Sequence, residues 1–202
     1  MEILIFPALQ DNYIYVLRDH AGESGDVSVA VIDPAVAGTL IVDFERRGWL
    51  VGAIFNTHHH FDHTGGNHEL KSRYRCPVIG SRAEVSRIAK LDTLVEDGDR
   101  LEFGGEIITV IGTPGHTIGH LAYYLARTGA VFCGDALFSI GCGRLFEGTA
   151  AQMWQSLLRL RALPGETLVY CAHEYTLSNA RFALSIDGEN LALRAMVETA
   201  HR

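Results

Sequence analysis

One six-residue segment brings together side chains that bind transition metals. It has the form His-x-His-x-Asp-His and contains His58, His60, Asp62 and His63. Imidazole and carboxylate groups bind divalent metals at neutral pH. In an extended segment, residues two apart face the same side, so His58 and His60 should converge while His59 points away. Because Asp62 and His63 are adjacent and diverge, the four donors suit two neighbouring metals better than one tetrahedral cage. The alternative, a solvated histidine-rich loop, would need neither the carboxylate nor the flanking glycines.

Three further candidate donors follow predicted strands downstream. Four strands that lead into donors are predicted from apolar runs at residues 53–56, 107–111, 131–134 and 168–172. The first leads into the histidine motif, and the others lead to His116, Asp135 and His173. In layered α/β proteins the carboxyl ends of strands share one edge, so we expect all seven donors to meet there. Taken singly, these residues could equally be a loop histidine, a turn cap and a buried structural histidine. Together with the motif, they favour a metal site.

The other histidines receive different interpretations. His120 comes four residues after His116 and is predicted to be structural or to contact a metal ligand. His20, His68 and His201 are predicted to be surface residues.

The elements that position these donors are predicted from hydrophobic periodicity. Strands are predicted at residues 2–6, 13–17, 27–32, 50–56, 77–80, 101–103, 106–111, 121–125, 130–134 and 167–172. Helices are predicted at residues 36–47, closed by Gly48, at 66–73, at 150–162, and in two pieces over 176–202 broken near Asp187. A segment rich in glycine and acidic residues, 19–26, is predicted to be a loop. This alternation indicates an α/β protein.

Composition excludes several classes of protein. The chain has 202 residues, of which 48% are hydrophobic, and a net charge of −7, which argues against a nucleic-acid surface. No apolar stretch approaches the roughly 20 residues of a membrane span, and the N-terminus lacks a basic leader. The four cysteines show no close pairing, which favours reduced thiols in the cytoplasm. We therefore expect a cytoplasmic monomer with a globular catalytic domain and no nucleic-acid or membrane partner.

Several segments resemble a known family. They are residues 7–13, 32–34, 57–66, 113–117, 134–138, 141–144, 146–149 and 173–176. The His-x-His-x-Asp-His motif is similar to that of the metallo-β-lactamase superfamily. The Gly-Cys-Gly-Arg and Glu-Gly-Thr segments, together with His-Glu-Tyr-Thr, resemble glyoxalase II, the hydroxyacylglutathione hydrolases. Two positions depart from that pattern: Ala172 stands where glycine is usual, and Phe146 replaces a tyrosine of some members.

The resemblance implies a fold and a ligand set. It implies an α/β protein with the four-layer αβ/βα sandwich of the metallo-β-lactamase fold, with a catalytic domain over residues 1–175. Residues 176–202 would be a truncated remnant of a helical substrate-binding domain, and the sequence leaves open whether the chain is naturally short. Two divalent metals are implied, with zinc favoured and iron or manganese also compatible with nitrogen and oxygen donors. The first metal would be bound by His58, His60 and His116, the second by Asp62, His63 and His173, with Asp135 bridging.

The resemblance also implies a reaction. Paired metals lower the pKa of a shared water from 15.7 towards about 7, and the bridging hydroxide would attack a thioester carbonyl. Asp62 and Asp135 would orient this nucleophile, while Arg144 and Tyr175 would bind substrate. A thiolate, with a pKa near 8.5 for a simple thiol, can leave without a general acid. The expected reaction converts S-D-lactoylglutathione to D-lactate and glutathione, a step in methylglyoxal detoxification.

Three alternatives remain open from the sequence. One is an oxidoreductase that resembles persulfide dioxygenases and uses a single iron. A second is a hydrolase of other thioesters or lactones on the same fold. A third is a metal-binding module without activity. The number of metals per chain separates the first from the dinuclear hydrolase, and hydrolysis of a thioester excludes the third.

Overall fold

The structure is a computed structural model that describes residues 1–19 and 27–200. The strands are β1 (Glu2–Ala8), β2 (Asn12–Arg18), β3 (Val27–Ile32), β4 (Trp49–Phe55), β5 (Val78–Ser81), β6 (Thr93–Val95), β7 (Arg100–Phe103), β8 (Glu106–Gly112), β9 (Leu121–Leu125), β10 (Ala130–Gly134), β11 (Leu137–Phe138), β12 (Gly141–Cys142) and β13 (Leu168–Cys171). The helices are α1 (Gly38–Arg47), α2 (Phe61–Thr64), α3 (Asn67–Tyr74), α4 (Ala150–Arg161), α5 (Thr176–Ile186) and α6 (Leu191–Ala200).

Two large sheets form the centre of the fold. One has the strand order β1-β2-β3-β4-β5-β6, with antiparallel pairing from β1 to β3 and parallel pairing from β3 to β6. The other has the order β13-β10-β9-β8-β7 and is antiparallel except for the parallel pair β10 and β13. The short strands β11 and β12 pair with each other.

The buried side chains show how the layers stack. A core cluster between the sheets joins Phe55 of the first sheet to Tyr123 and Phe132 of the second. A second cluster packs Leu40 and Phe44 of α1 on the outer face of the first sheet, and a third joins α4 to the outer face of the second. Each sheet is therefore covered by other elements on both faces. The order of layers is helix, sheet, sheet, helix, which confirms the predicted four-layer αβ/βα sandwich.

Most predicted elements lie within two residues of their observed bounds. Gly48 closes α1 with a left-handed backbone (φ 69°), as its position predicts. The helix begins at Gly38 instead of residue 36 because residues 34–36 pack against the glycines that follow the histidine motif. Gly66 donates to the Pro34 carbonyl at 2.7 Å, and a side chain on Gly65 would lie 2.6 Å from the Ala35 carbonyl oxygen.

Some elements were not predicted from the sequence. Strand β6 and helix α2 are three and four residues long, which is too short for hydrophobic periodicity to be visible. His68 is exposed, as predicted. Residues 20–26 of the predicted loop, and His20 and His201, lie outside the described residues. In the described part of the chain, no helix is both long enough and apolar enough to cross a membrane.

Candidate metal centre

The candidate donors reach one end of the sandwich from both sheets. Strand β4 of the six-stranded sheet runs directly into the histidine motif. Strands β8, β10 and β13 of the five-stranded sheet run in the same direction as one another and precede His116, Asp135 and His173. The donors therefore meet at one end of the sandwich, as predicted, but the strands that carry them belong to two sheets instead of one.

The first group of donors consists of His58, His60 and His116. The Nε2 atom of His58 and the Nε2 atom of His116 each lie 3.0 Å from Nδ1 of His60. One donor atom from each residue lies within 4.8 Å of the others, a spacing that allows all three to bind one metal ion. Thr57 and His58 lie in a bend and His60 has φ −58° and ψ 145°, so His58 and His60 converge as predicted although the segment is not a regular extended strand.

The second group consists of Asp62, His63 and His173. Oδ2 of Asp62 lies 3.6 Å from Nε2 of His63 and 3.4 Å from Nε2 of His173. Helix α2 begins at Phe61, so Asp62 and His63 leave its first turn towards His173, which follows β13. These donor atoms also lie within 4.8 Å of one another.

Asp135 lies between the two groups. Its Oδ2 atom is 3.2 Å from Nε2 of His116 in the first group. Its Oδ1 atom is 3.4 Å from Nε2 of His63 and 3.3 Å from Nε2 of His173 in the second. Gly134 makes this approach feasible because its backbone is left-handed (φ 50°) and a side chain there would lie 2.5 Å from the Thr57 hydroxyl. One carboxylate oxygen therefore faces each group.

Two buried atoms at the centre lack a hydrogen-bond partner. They are Nε2 of His63 and Oδ1 of Asp135. A buried polar atom without a partner costs about 1–3 kcal/mol, so such atoms are normally paired. A divalent cation between these two atoms would satisfy both of them. The donor set therefore fits divalent metal ions.

Four of the five histidines point Nε2 at the centre and Nδ1 at a protein oxygen. The oxygens are Oγ1 of Thr57 for His58 (3.0 Å), Oδ2 of Asp33 for His63 (3.1 Å), the Arg144 carbonyl for His116 (2.8 Å) and Oδ1 of Asp11 for His173 (2.8 Å). An Nδ1–H that donates in this way leaves the Nε2 lone pair free for a metal and fixes the orientation of the ring.

Asp11 and Asp33 contact candidate ligands but were not predicted from the sequence to do so. A signal existed for Asp33, because it follows the apolar strand β3 just as Asp135 follows β10. Asp11 lies in the turn between β1 and β2, more than 160 residues from His173, and only the folded chain brings the two together.

Burial and charge shift the pKa values of the histidines in the two groups differently. Burial and neighbouring imidazoles hold the pKa of His58 well below its usual value, and burial also lowers the pKa of His60 and His116. Burial has the same tendency at His63, but Asp33 and the other carboxylates outweigh it and raise the pKa to about 9. The pKa of Asp135 is held below its usual range because nearby histidines outweigh the effect of burial. The first group is thus neutral imidazole, the form that binds metals.

The histidines outside these groups have different contacts. His59 points its Nδ1 at Oε2 of Glu84, 2.6 Å away, as the predicted alternation requires. His120 is buried and accepts a hydrogen bond from the backbone N–H of Asp135 at 3.1 Å. Burial lowers the pKa of His120 to about 3, so it remains neutral and can accept this bond. His120 therefore supports a candidate ligand, as expected from the sequence.

Substitutions in the motif should separate donors from neighbours. We expect His58→Ala and His60→Ala to lower the number of metals per chain, because each removes a donor atom from the first group. His59→Ala should keep the full number when metal is supplied in excess, because it removes none. Elemental analysis of the three variants measures this. Equal metal loss in all three would show that the assignment of His58 and His60 as metal donors, and of His59 as a residue that binds no metal, is wrong.

A cavity of about 790 Å³ opens over the centre. Its lining includes donors from both groups and two residues predicted to bind substrate, Arg144 and Tyr175. The Tyr175 ring stacks on the His173 ring, with centroids 4.9 Å apart and planes 1° apart. Phe146 also lines the cavity and contacts His60 and His116 edge-on. The centre is therefore accessible to a ligand, with two aromatic side chains and one cationic side chain beside it.

Several known proteins are similar to this chain in sequence or in fold. A profile of the Metallo-beta-lactamase superfamily matches residues 12–173. The chain is 50% identical over 198 residues to a hydroxyacylglutathione hydrolase of Methylococcus capsulatus, covering 98% of this chain and 76% of that protein. It is 51% identical over 195 residues to a hydroxyacylglutathione hydrolase of Rhodospirillum rubrum, covering 96% and 75%. Among solved structures, ETHE1 from Myxococcus xanthus matches with a TM-score of 0.73 and 32% identity, over 87% of this chain and 76% of that one.

Proposed function

Because the chain belongs to the hydroxyacylglutathione hydrolase (glyoxalase II) family of the metallo-β-lactamase superfamily, we propose that it converts S-D-lactoylglutathione or a related acylglutathione to D-lactate and glutathione. It is a metal-dependent hydrolase that acts on thioesters. The chain spans about three quarters of the length of these relatives. Both relatives are named hydroxyacylglutathione hydrolases, and these names support an acylglutathione as the substrate.

The observation that carries the proposal is the position of Asp135 between two groups of donors. One oxygen faces His116 and the other faces His63 and His173, all within 3.4 Å. We infer that two divalent cations, most favourably zinc, bind here. The ligands would be His58, His60 and His116 for the first and Asp62, His63 and His173 for the second, with Asp135 shared.

The side chains around the centre have distinct tasks in hydrolysis. When bound, divalent cations lower the pKa of water and polarise a carbonyl group. The carboxylates of Asp62 and Asp135 both face His63 and His173, so they offset positive charge and can orient a water molecule by accepting hydrogen bonds from it. The departing thiol of glutathione needs no general acid, since a thiolate with a pKa near 8.5 is a good leaving group.

The cavity supports binding of an acidic substrate. Arg144 is exposed at the cavity and presents a guanidinium, which suits the carboxylates of glutathione. Tyr175 is held in place by stacking on His173, so its hydroxyl has a defined position from which to hydrogen-bond the peptide part. We propose that these two residues bind substrate without taking part in bond breaking.

Substitution of Arg144 should affect binding more than turnover. A charge-assisted hydrogen bond contributes about 1.5–3 kcal/mol, and each 1.4 kcal/mol corresponds to a factor of ten. We expect Arg144→Ala to raise the KM for S-lactoylglutathione about tenfold and to leave kcat nearly unchanged. Arg161, a basic residue of α4 that does not line the cavity, provides the control Arg161→Ala. A fall in kcat with constant KM would contradict a binding role for Arg144.

One experiment tests the function as a whole. The purified protein is analysed for metals and assayed with S-lactoylglutathione and with a short acyl thioester. We expect two metals per chain and hydrolysis of both. One iron per chain without hydrolysis would favour a mononuclear oxidoreductase instead. Two metals with hydrolysis of only the short thioester would favour another thioesterase.

Location and assembly are also proposals. We propose a cytoplasmic enzyme, and its four cysteines, all free thiols, are consistent with a reducing compartment. We further propose a monomer without a nucleic-acid or membrane partner. Light scattering after size-exclusion chromatography tests the assembly, and cell fractionation tests the location.

A further inference from the structure

A buried glutamate outside the donor set touches both loops that carry the first group. Glu84 ends a short 3-10 turn, Arg82–Glu84, directly after strand β5. It is 1% exposed and does not line the catalytic cavity. A buried carboxylate is stable only with strong partners, so the contacts of Glu84 indicate what it does.

Its two oxygens bind residues of different loops. Oε2 lies 2.6 Å from Nδ1 of His59, which sits between two donors of the first group. Oε1 accepts a hydrogen bond from the Thr117 hydroxyl at 2.7 Å, and Thr117 directly follows the third donor, His116. The first loop extends from β4 and the second from β8, which belong to different sheets. One carboxylate therefore connects donor loops from the two halves of the sandwich.

The surroundings are shaped around this carboxylate. A side chain on Gly119 would lie 2.3 Å from Cγ and 2.9 Å from Oε1 of Glu84, so only glycine leaves the room that Glu84 occupies. A second carboxylate supports the same connection, because Glu147 accepts from the Ile118 backbone N–H at 2.8 Å and lies 3.9 Å from Nε2 of His59.

We propose that Glu84 is a positioning residue that sets the spacing between His60 and His116 and thereby the affinity of the first metal. This inference rests on the proposed dinuclear function. Groups that orient metal ligands typically change metal affinity or activity by about 10–100-fold when they are removed. Asp33 and Asp11 contact the rings of candidate ligands directly. Glu84 instead contacts residues next to the ligands in the sequence, so it acts on the ligands through their loops.

The fold does not depend on Glu84 alone. The same loops are joined by the Leu121 backbone N–H, which donates to the Thr57 carbonyl at 2.8 Å. The Tyr123 hydroxyl donates to the Asn56 carbonyl at 2.7 Å. Because these bonds remain, loss of Glu84 should leave the two sheets packed and alter chiefly the spacing of the donors.

The test compares two buried glutamates. Glu106 is also buried and accepts two hydrogen bonds, from the Thr128 hydroxyl at 2.6 Å and the Arg127 backbone N–H at 3.2 Å. Neither of these partners is a candidate metal ligand or a neighbour of one in the sequence. Glu84→Ala, Glu84→Gln and Glu106→Gln are stripped of metal and titrated with Zn²⁺ against a chelating dye, and the Tm of each metal-free protein is recorded. Thr117→Val, which keeps Glu84 and removes one of its bonds, is a milder fourth variant should Glu84→Ala not fold.

We expect Glu84→Ala to weaken one of two Zn²⁺ sites by about tenfold, the lower end of the range for groups that contact a ligand directly, and to leave the other unchanged. Glu84→Gln and Thr117→Val should show smaller losses at the same site, with kcat reduced, KM unchanged and kcat restored by excess Zn²⁺. Glu106→Gln should lower Tm without changing either affinity. If the wild type binds two Zn²⁺ and hydrolyses the thioester while all Glu84 variants match its affinities, this inference is wrong and the proposed function stands. If the wild type itself does neither, the proposed function fails first.

Discussion

Replacement of Asp135 by alanine should lower kcat/KM for S-lactoylglutathione more than about a hundredfold. Removal of a group that only orients a ligand already costs about 10–100-fold, and Asp135 contacts donors of both groups directly. Without its carboxylate, two cations would repel each other across the gap with less negative charge between them. We therefore expect elemental analysis to find one metal per chain or fewer.

Two further variants make this result specific. Asp135→Asn keeps the volume but loses the charge, and it should fall between the alanine variant and the wild type in metal content. Asp92, which directly precedes β6, accepts from the Val78 N–H at 2.7 Å and pairs with Lys71, and neither partner is a candidate metal ligand. Asp92→Ala should lower Tm and keep both metals. If Asp135→Ala retained two metals and normal turnover, the assignment of Asp135 as a ligand shared by both metals would be wrong.

The sequence predicted the donors because they share a simple pattern. Each of His116, Asp135 and His173 closely follows a run of apolar residues, and such runs are visible without any structure. The position of each donor along the chain is local information. The structure adds that both sheets supply these strands, which a one-dimensional pattern does not contain.

What the sequence did not reveal depends on contacts between distant segments. The bond between Asp11 and His173 joins residues 162 apart, and that between Glu84 and Thr117 joins a turn of one sheet to a loop of the other. Neither aspartate nor glutamate is unusual in a turn, so composition gives no signal. Short elements such as β6 were missed for a different reason, since three residues show no period.

Replacement of Asp33 by alanine should produce the second large effect, on stability as well as on metal binding. Asp33 is 4% exposed and accepts three hydrogen bonds. They come from the Thr57 backbone N–H at 2.8 Å, the Thr57 hydroxyl at 2.6 Å and, at 3.1 Å, Nδ1 of His63. Each buried hydrogen-bond donor left without an acceptor costs about 1–3 kcal/mol of folding free energy. Because the loop can relax in part, we expect a total loss of about 3 kcal/mol. For a chain of this length that corresponds to a fall in Tm of about 6–12 °C.

The effect on metal binding should be larger in the second group than in the first. Asp33 contacts the ring of His63 directly, so we expect a loss of about 10–100-fold in affinity at the second site. Asp33 reaches His58 of the first group only through the Thr57 hydroxyl, so the loss of affinity at the first site should be smaller. Asp33→Asn keeps one acceptor for the Thr57 N–H and should lie between wild type and alanine. Scanning calorimetry of the metal-free variants and Zn²⁺ titration of the same samples measure the two effects separately. A fall in Tm with unchanged affinity at both sites would mean that Asp33 supports the fold of the motif loop without orienting His63, because its bonds to Thr57 alone account for the stability.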